Sequence, residues 1–235
     1  MDRTKSVVSA DRFAKGLTFD AYVKMVGTPE NLKREGSMAQ RRDFSGFLRE
    51  QYEKARLSDA QIAAIRWLVA QPNGPRKMLM LSEEWSSDCR RDLPMLARLA
   101  EAGGLEFRIV PRDGQKVGRA PKADPADSPN ADIMNEFLKH QDGTTYQSIP
   151  VVVFYTKDMQ YLYHYTEFPA IYHKDRVRGA MRALKPGETQ EQMTQRDVKE
   201  FAALQASPFF EIWGCAAIDE ILTALHERLV VGSLP

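Results

Sequence analysis

Cysteine is scarce in this chain: 235 residues carry only Cys89 and Cys215. Two thiols so far apart in sequence supply neither a disulfide framework nor a cysteine zinc cluster, so the chain has to fold on its apolar core. The four histidines, His140, His164, His173 and His226, show no metal-ligand spacing. An excess of one charge is missing too, because 33 basic against 32 acidic residues leave a formal charge of +1. With no global field of either sign, nucleic acid and anionic membranes are not expected partners. No run approaches the roughly 20 apolar residues of a membrane span, and the opening Met-Asp-Arg-Thr-Lys-Ser-Val-Val-Ser-Ala lacks the apolar core of a secretory signal. Together with the scarce cysteine, this makes the reducing cytoplasm the expected location.

What is present is an ordinary globular composition, 43% hydrophobic and 28% charged, which argues against a disordered chain. At roughly 150 residues per domain, the length fits one large domain or one domain with substantial additions. The stretch from Met78 to Pro94 organises the rest. Met78 to Leu81 has the length and flanks of a buried strand, and after a Ser-rich turn Cys89 opens a helical pattern carrying Leu93, Leu96 and Leu99.

Upstream, residues 1–74 read as a helical extension. Thr18 can cap a helix with Phe19, Tyr22 and Val23, and Thr28-Pro29 sets a capping hydroxyl before a proline that suits a first helical turn. Phe44, Phe47, Leu48 and Tyr52 recur at helical spacing, and Ser58 with Gln61 forms a capping box. Two prolines and a glycine at Pro72 to Pro75 end this part. Residues 75–185 then alternate strand and helix. The Cys89 helix should end near Gly103-Gly104, Leu105 to Val110 reads as a strand parallel to the first, and a long charged loop, Pro111 to Pro129, precedes a short helix around Ile133 to Leu138. Val151 to Tyr155 and Tyr161 to Tyr165 form a hairpin, and Ile171, Val177, Met181 and Leu184 suit a closing helix. In residues 186–235, Thr194 is placed to cap a short helix. Ser207-Pro208 starts a longer one whose stripe of Ile212, Cys215, Ile218, Ile221, Leu222, Leu225 and Leu229 should dock on the main domain.

Trp85, a small polar turn, a cysteine in the first helical turn, and Pro94 resemble the active-site segment of the thioredoxin superfamily. Ile149-Pro150 before an apolar strand sits where that family has its cis-proline, and the order β-α-β-α-β-β-α matches its minimal fold. The resemblance, covering about Met78 to Leu184, implies an α/β thioredoxin-like fold with helical extensions at both ends. The family reads Trp-Cys-x-x-Cys, and here Ser86 stands at the first cysteine; Asp88 fits a bacterial variant, Trp-Cys-x-Asp-Cys. Met80 stands where many thioredoxins carry a buried acid.

In the family the first cysteine attacks a substrate disulfide and the second resolves the mixed disulfide. With Ser86 there, no thiolate forms near neutral pH, and no adjacent base is suggested for a serine nucleophile. The resemblance therefore implies a protein without dithiol chemistry, which binds a protein or peptide, or plays a structural part, through Trp85, Ser86, Ser87, Asp88, Ile149 and Pro150. The alternative is a single-thiol enzyme acting through Cys89, with glutathione or another small thiol as co-substrate. No other cofactor and no metal is expected.

Each of these residues also has a plainer reading. Cys89 can be a small buried residue under the helix start, with Arg90 and Arg91 favouring its thiolate, and Asp88 and burial opposing it. Ser86 and Ser87 can be helix caps. Cys215 can be core packing, or can bond Cys89 if their Cα atoms come within about 7 Å. Arg112, Lys116, Arg119 and Lys122 can recognise an anionic partner or lie solvated in their loop.

Overall fold

The computed structural model describes residues 6–36 and 40–231. Its helices before the first strand are α1 (Ala10–Ala14), α2 (Phe19–Val26), α3 (Pro29–Leu32), α4 (Ser45–Lys54) and α5 (Asp59–Ala70). Local chemistry starts most of them. Ser9, Thr18 and Thr28 each accept a hydrogen bond from a first-turn N–H, and Ser58 and Gln61 form the reciprocal capping box. The chain continues through β1 (Lys77–Ser82), α6 (Ser87–Gly103), β2 (Glu106–Pro111), α7 (Ala131–Glu136), β3 (Lys139–Gln141), β4 (Thr144–Tyr146), β5 (Val151–Tyr155), β6 (Tyr161–Thr166), α8 (Lys174–Arg182), α9 (Gln190–Gln205) and α10 (Pro208–Val230).

The main sheet has the order β2-β1-β5-β6. β1 and β2 run parallel, β5 is antiparallel to β1, and β6 is antiparallel to β5. This arrangement creates the site. The C-terminal ends of β1 and β2 share one edge of the sheet, and β5 begins at that same edge, with Val151 opposite Leu81. The turn after β1, the loop after β2 and the segment before Pro150 therefore converge there. Every residue from Met78 to Ser82 and from Val151 to Tyr155 is buried, so both faces of the central strands are covered. Leu93, Leu96 and Leu99 of α6 are buried as the helical spacing requires, each contributing roughly 1.5–3 kcal/mol of apolar burial.

Four expectations need correction. First, the β3–β4 hairpin is additional to the minimal order. Its strands of three polar residues carry too little periodicity to read, although Asp142-Gly143, with φ of 50° and 75°, is the dipeptide that a tight hairpin turn demands. Second, α8 does not close the core. It buries only Arg178, while Ile171 and Leu184 are exposed. α10 closes the core instead, packing on α5, α6 and β6 through Ile218, Ile221 and Leu225. Third, α9 starts earlier than expected and is long. Thr189 caps it in a box with Gln192, and the Thr194 hydroxyl donates to the Gln190 carbonyl inside the helix. Fourth, Ile212 lies off the buried stripe of α10 and is exposed, because the buried face at this end runs through Phe210, Gly214 and Ala217.

Gly104 ends α6 in the left-handed region, at φ 63°, with open space where a Cβ would lie. Gly104→Ala should therefore lose about 1 kcal/mol of stability from backbone conformation alone. Gly179, within α8 and equally open, has helical backbone, so Gly179→Ala should gain about 0.5–1 kcal/mol. Urea unfolding of the two variants checks the opposite signs.

Candidate functional site

β1 leads into the turn Glu83-Glu84-Trp85-Ser86, closed by the Ser86 N–H donating to the Glu83 carbonyl at 3.1 Å. Ser86 is the N-cap of α6. Its hydroxyl accepts from the Cys89 N–H at 3.4 Å, and its carbonyl accepts from Arg90 at 3.1 Å. The Ser86 residue is itself buried but lines the cleft, and the sulfur of Cys89 lies one helical turn further in, only 1% exposed. Burial pushes the Cys89 thiol up to about 12, against the weaker opposing pull of the Glu83 backbone and the Ser86 and Ser82 hydroxyls. Neither neighbouring arginine hydrogen-bonds the thiol, although Arg90 lies near enough to interact with it by charge. Arg91 is held by Asp88 and Asp92, and Arg90 donates to the Glu84 carbonyl and to Gln205. Cys89 and Cys215 are both free, and burial raises the half-buried Cys215 thiol as well.

In front of this turn lies a cavity of about 420 Å³. Trp85, Ser86, Asp88 and Ile149 line it; Ser87 and Pro150 do not. Ser87 begins the helix, and Pro150 is buried behind Ile149. The Ile149–Pro150 bond is cis. Among the described residues, no hydrogen bond engages the backbone N–H or C=O of Ser148 or Ile149, whereas the Pro150 carbonyl accepts from Glu167 at 2.8 Å. The far wall comes from the loop after β2, through Gly118 to Pro121, and from the hairpin, through Thr144 to Gln147. Arg112 ties the walls together. Its guanidinium lies 5.1 Å from the Trp85 ring centre, pairs with Asp113 at 2.8 Å and donates to the Gln147 carbonyl at 2.7 Å. Of the other loop cations, Arg119 lines the cavity and pairs with Glu35, while Lys116 and Lys122 are exposed and lie outside it.

Sequence reasoning missed the ion networks behind the turn. Glu83 and Glu84 are buried at the end of β1 and share Arg41, at 2.6 and 2.8 Å; Arg34 adds a bond to Glu83 at 3.0 Å. Burial pushes the Glu83 carboxyl up, with Arg34 and Arg41 opposing. On the other side Arg91 bridges Asp88 and Asp92, each at 2.7 Å, and Lys174 joins Asp88 to Glu167 at 2.5 and 2.8 Å. Burial works to raise Glu167, but Lys174 and Lys139 overcome it and hold its carboxyl below the ordinary range. Four acids within ten residues of a buried strand, Glu83, Glu84, Asp88 and Asp92, were the available signal, since buried carboxylates require partners. Met80 is buried in the strand, so the acids nearest Cys89 belong to the turn and helix. No group of three or more metal-ligating side chains occurs among the described residues.

A cis-proline beside a helix that starts with Trp-x-x-x-Cys, on a sheet of this order, defines a thioredoxin-like protein. The thioredoxin family model matches residues 37–118, which take in α4 through β2 and end before the cis-proline. A protein of unknown function from Pseudomonas aeruginosa has a similar crystal structure, with a TM-score of 0.51, 18% identity, and 94% of this chain and 99% of that one covered. An HIV epitope-scaffold aligns with a TM-score of 0.48 and 17% identity, over 93% of this chain and 98% of that one. None of the curated proteins compared matches the chain.

The Cys89 shift has a measurable consequence. The native state keeps its proton above pH 8.5, where an unfolded thiol loses it, so stability is unaffected below that pH and falls as pH rises. Between pH 8.5 and 10 the wild type should lose about 1.5 kcal/mol more than Cys89→Ala, the extra slope rising toward about 1.4 kcal/mol per pH unit. Parallel urea titrations of the two proteins test this; equal slopes would mean that the native thiol ionises normally.

Proposed function

We propose that this thioredoxin-like protein is a binding protein that holds an extended peptide in the cleft between the Ser86 turn and Ser148-Ile149, without dithiol–disulfide exchange. One observation carries the reading: the cleft retains an unpaired backbone segment beside the cis-proline, and the turn facing it presents Ser86 where the family has its first cysteine. A peptide lying along Ser148 and Ile149 can satisfy their free N–H and C=O groups by strand addition, which gives affinity from main-chain bonds. Side chains on either side of such a peptide would meet Trp85 and the Thr144 to Gln147 wall. Exchange needs an accessible thiolate, and a buried thiol raised to about 12 does not supply one. The same fact weighs against the alternative of a single-thiol enzyme using Cys89 with glutathione.

Two measurements test the reading. Insulin disulfide reduction should be no faster with the wild type than without protein, and Ser86→Cys should restore it by returning the attacking sulfur to the turn; a wild-type rate comparable to thioredoxin would contradict the proposal. Peptides selected from a displayed library of random decapeptides should lose at least about tenfold in affinity for Ala120→Trp, an exposed position on the cleft wall. Unchanged affinity would place peptide binding elsewhere.

A further inference from the structure

Arg90 is buried to 8% exposure, yet no carboxylate lies within ion-pair distance of it among the described residues. The nearby acids are already engaged, Glu84 by Arg41, and Asp88 by Arg91 and Lys174. Arg90 uses one N–H on the Glu84 carbonyl at 2.6 Å and one on Gln205 at 2.9 Å, and its guanidinium stacks 4.0 Å from the Phe44 ring centre. A guanidinium carries five donors, so hydrogen-bonding capacity remains. Burial lowers the Arg90 pKa, whereas Arg41 and Arg91, equally sheltered but touched by carboxylates, are raised. A buried cation without a counter-charge is uncommon, because desolvation is offset only by an opposite charge.

Arg90 opens on a cavity of about 630 Å³ between α4, α6 and the elbow where α9 turns into α10. This space is separate from the peptide cleft and shares no lining residue with it. Phe44, Phe47, Pro94, Met95, Pro208 and Phe210 supply its apolar wall, and Arg90, Arg91 and Gln205, with Glu50, Lys54 and Glu211 at the rim, supply a polar and charged one. A cavity of this size, with aromatic surface beside a buried guanidinium, suits a small molecule. The first turn of α10 also borders the cavity. Ser207, its N-cap residue, donates its hydroxyl to the Leu204 carbonyl and caps no N–H with its side chain; Pro208 has no N–H to offer, and the Phe210 N–H is taken by the Ser207 carbonyl at 3.1 Å. Glu50 and Glu211 reach the rim, where both are exposed; Glu50 is paired with Lys54.

From these features we infer that the cavity is a binding site for a small apolar carboxylate, whose head group pairs with Arg90 and whose hydrocarbon or aromatic body lies against Phe44, Phe47 and Met95. The pairing gives Arg90 a carboxylate in direct contact, where Glu84 and Asp88 now act on it only from beyond ion-pair distance, and the body removes apolar wall from water. No covalent step is involved.

Octanoate and octan-1-ol, titrated calorimetrically into the full chain, test the assignment. Octanoate should bind once, saturably, with a dissociation constant below about 1 mM, and octan-1-ol at least about tenfold more weakly, as a charge-assisted bond requires. Arg90→Gln should weaken octanoate by about tenfold or more. Ala202→Trp, at an exposed position on the cavity wall, fills the space without touching the charge and should weaken both probes. If Arg90→Gln does not fold, Ala202→Trp together with the octanol comparison decides. Failure of octanoate to saturate below about 10 mM, equal affinity for octan-1-ol, or full octanoate affinity in folded Ala202→Trp would each overturn the inference. Peptide binding in the other cleft is read independently, so either assignment can fail alone.

Discussion

The start of α6 depends on neutralising carboxylates that have been taken out of water. Glu83, Glu84, Asp88 and Asp92 surround the turn, all within the interior. Each would be costly alone, and breaking such a buried pair by removing one partner costs roughly 3–5 kcal/mol. The partners come from distant parts of the chain: Arg34 and Arg41 from the segment between α3 and α4, Arg91 from α6 itself, and Lys174 from the first turn of α8. The N-terminal extension is thereby bound to the turn by charge as well as by apolar packing. Tyr22 of α2 adds a hydrogen bond to Ser82 at 3.1 Å, at the end of β1.

This fixed turn explains how the site holds a thioredoxin-like geometry with Ser86 at the outer position. The Ser86 side chain satisfies the first helical turn, and the ion pairs on both flanks hold the position of Trp85 and Asp88 at the cleft. Nothing in that support requires a thiol at position 86. What changes is the chemistry. Ser86 lines the cleft and the buried Cys89 thiol, raised by desolvation, lies behind it, so the turn presents no accessible thiolate. α6 contributes Asp88 to the cleft and Arg90, Pro94 and Met95 to the second cavity, and the two spaces share no lining residue.

Much of the architecture was legible in the sequence where local and tertiary signals agree. Capping residues marked α2, α3 and α5, the apolar runs gave β1 and β5, and Gly103-Gly104 ended α6. The convergence of Trp85, Ser86, Asp88 and Ile149 on one cleft is what the resemblance to the thioredoxin superfamily implied. The misreadings arise where periodicity is weak or shared. The residues of α8 look amphipathic, but α10 offers a longer apolar face and takes the core position, leaving Ile171 and Leu184 outside. The ion networks were illegible for another reason: pairings such as Arg41 with Glu84, or Lys174 with Asp88, join residues far apart in the chain, and sequence spacing does not encode them.

The central claim is that the one sulfur beneath this turn is chemically silent in the folded protein. It is tested most directly by incubating native protein with oxidised glutathione at mildly alkaline pH and mapping any adduct by mass spectrometry. The account predicts an unmodified Cys89 until the chain is unfolded by denaturant. A glutathione adduct on Cys89 of the native protein would contradict it.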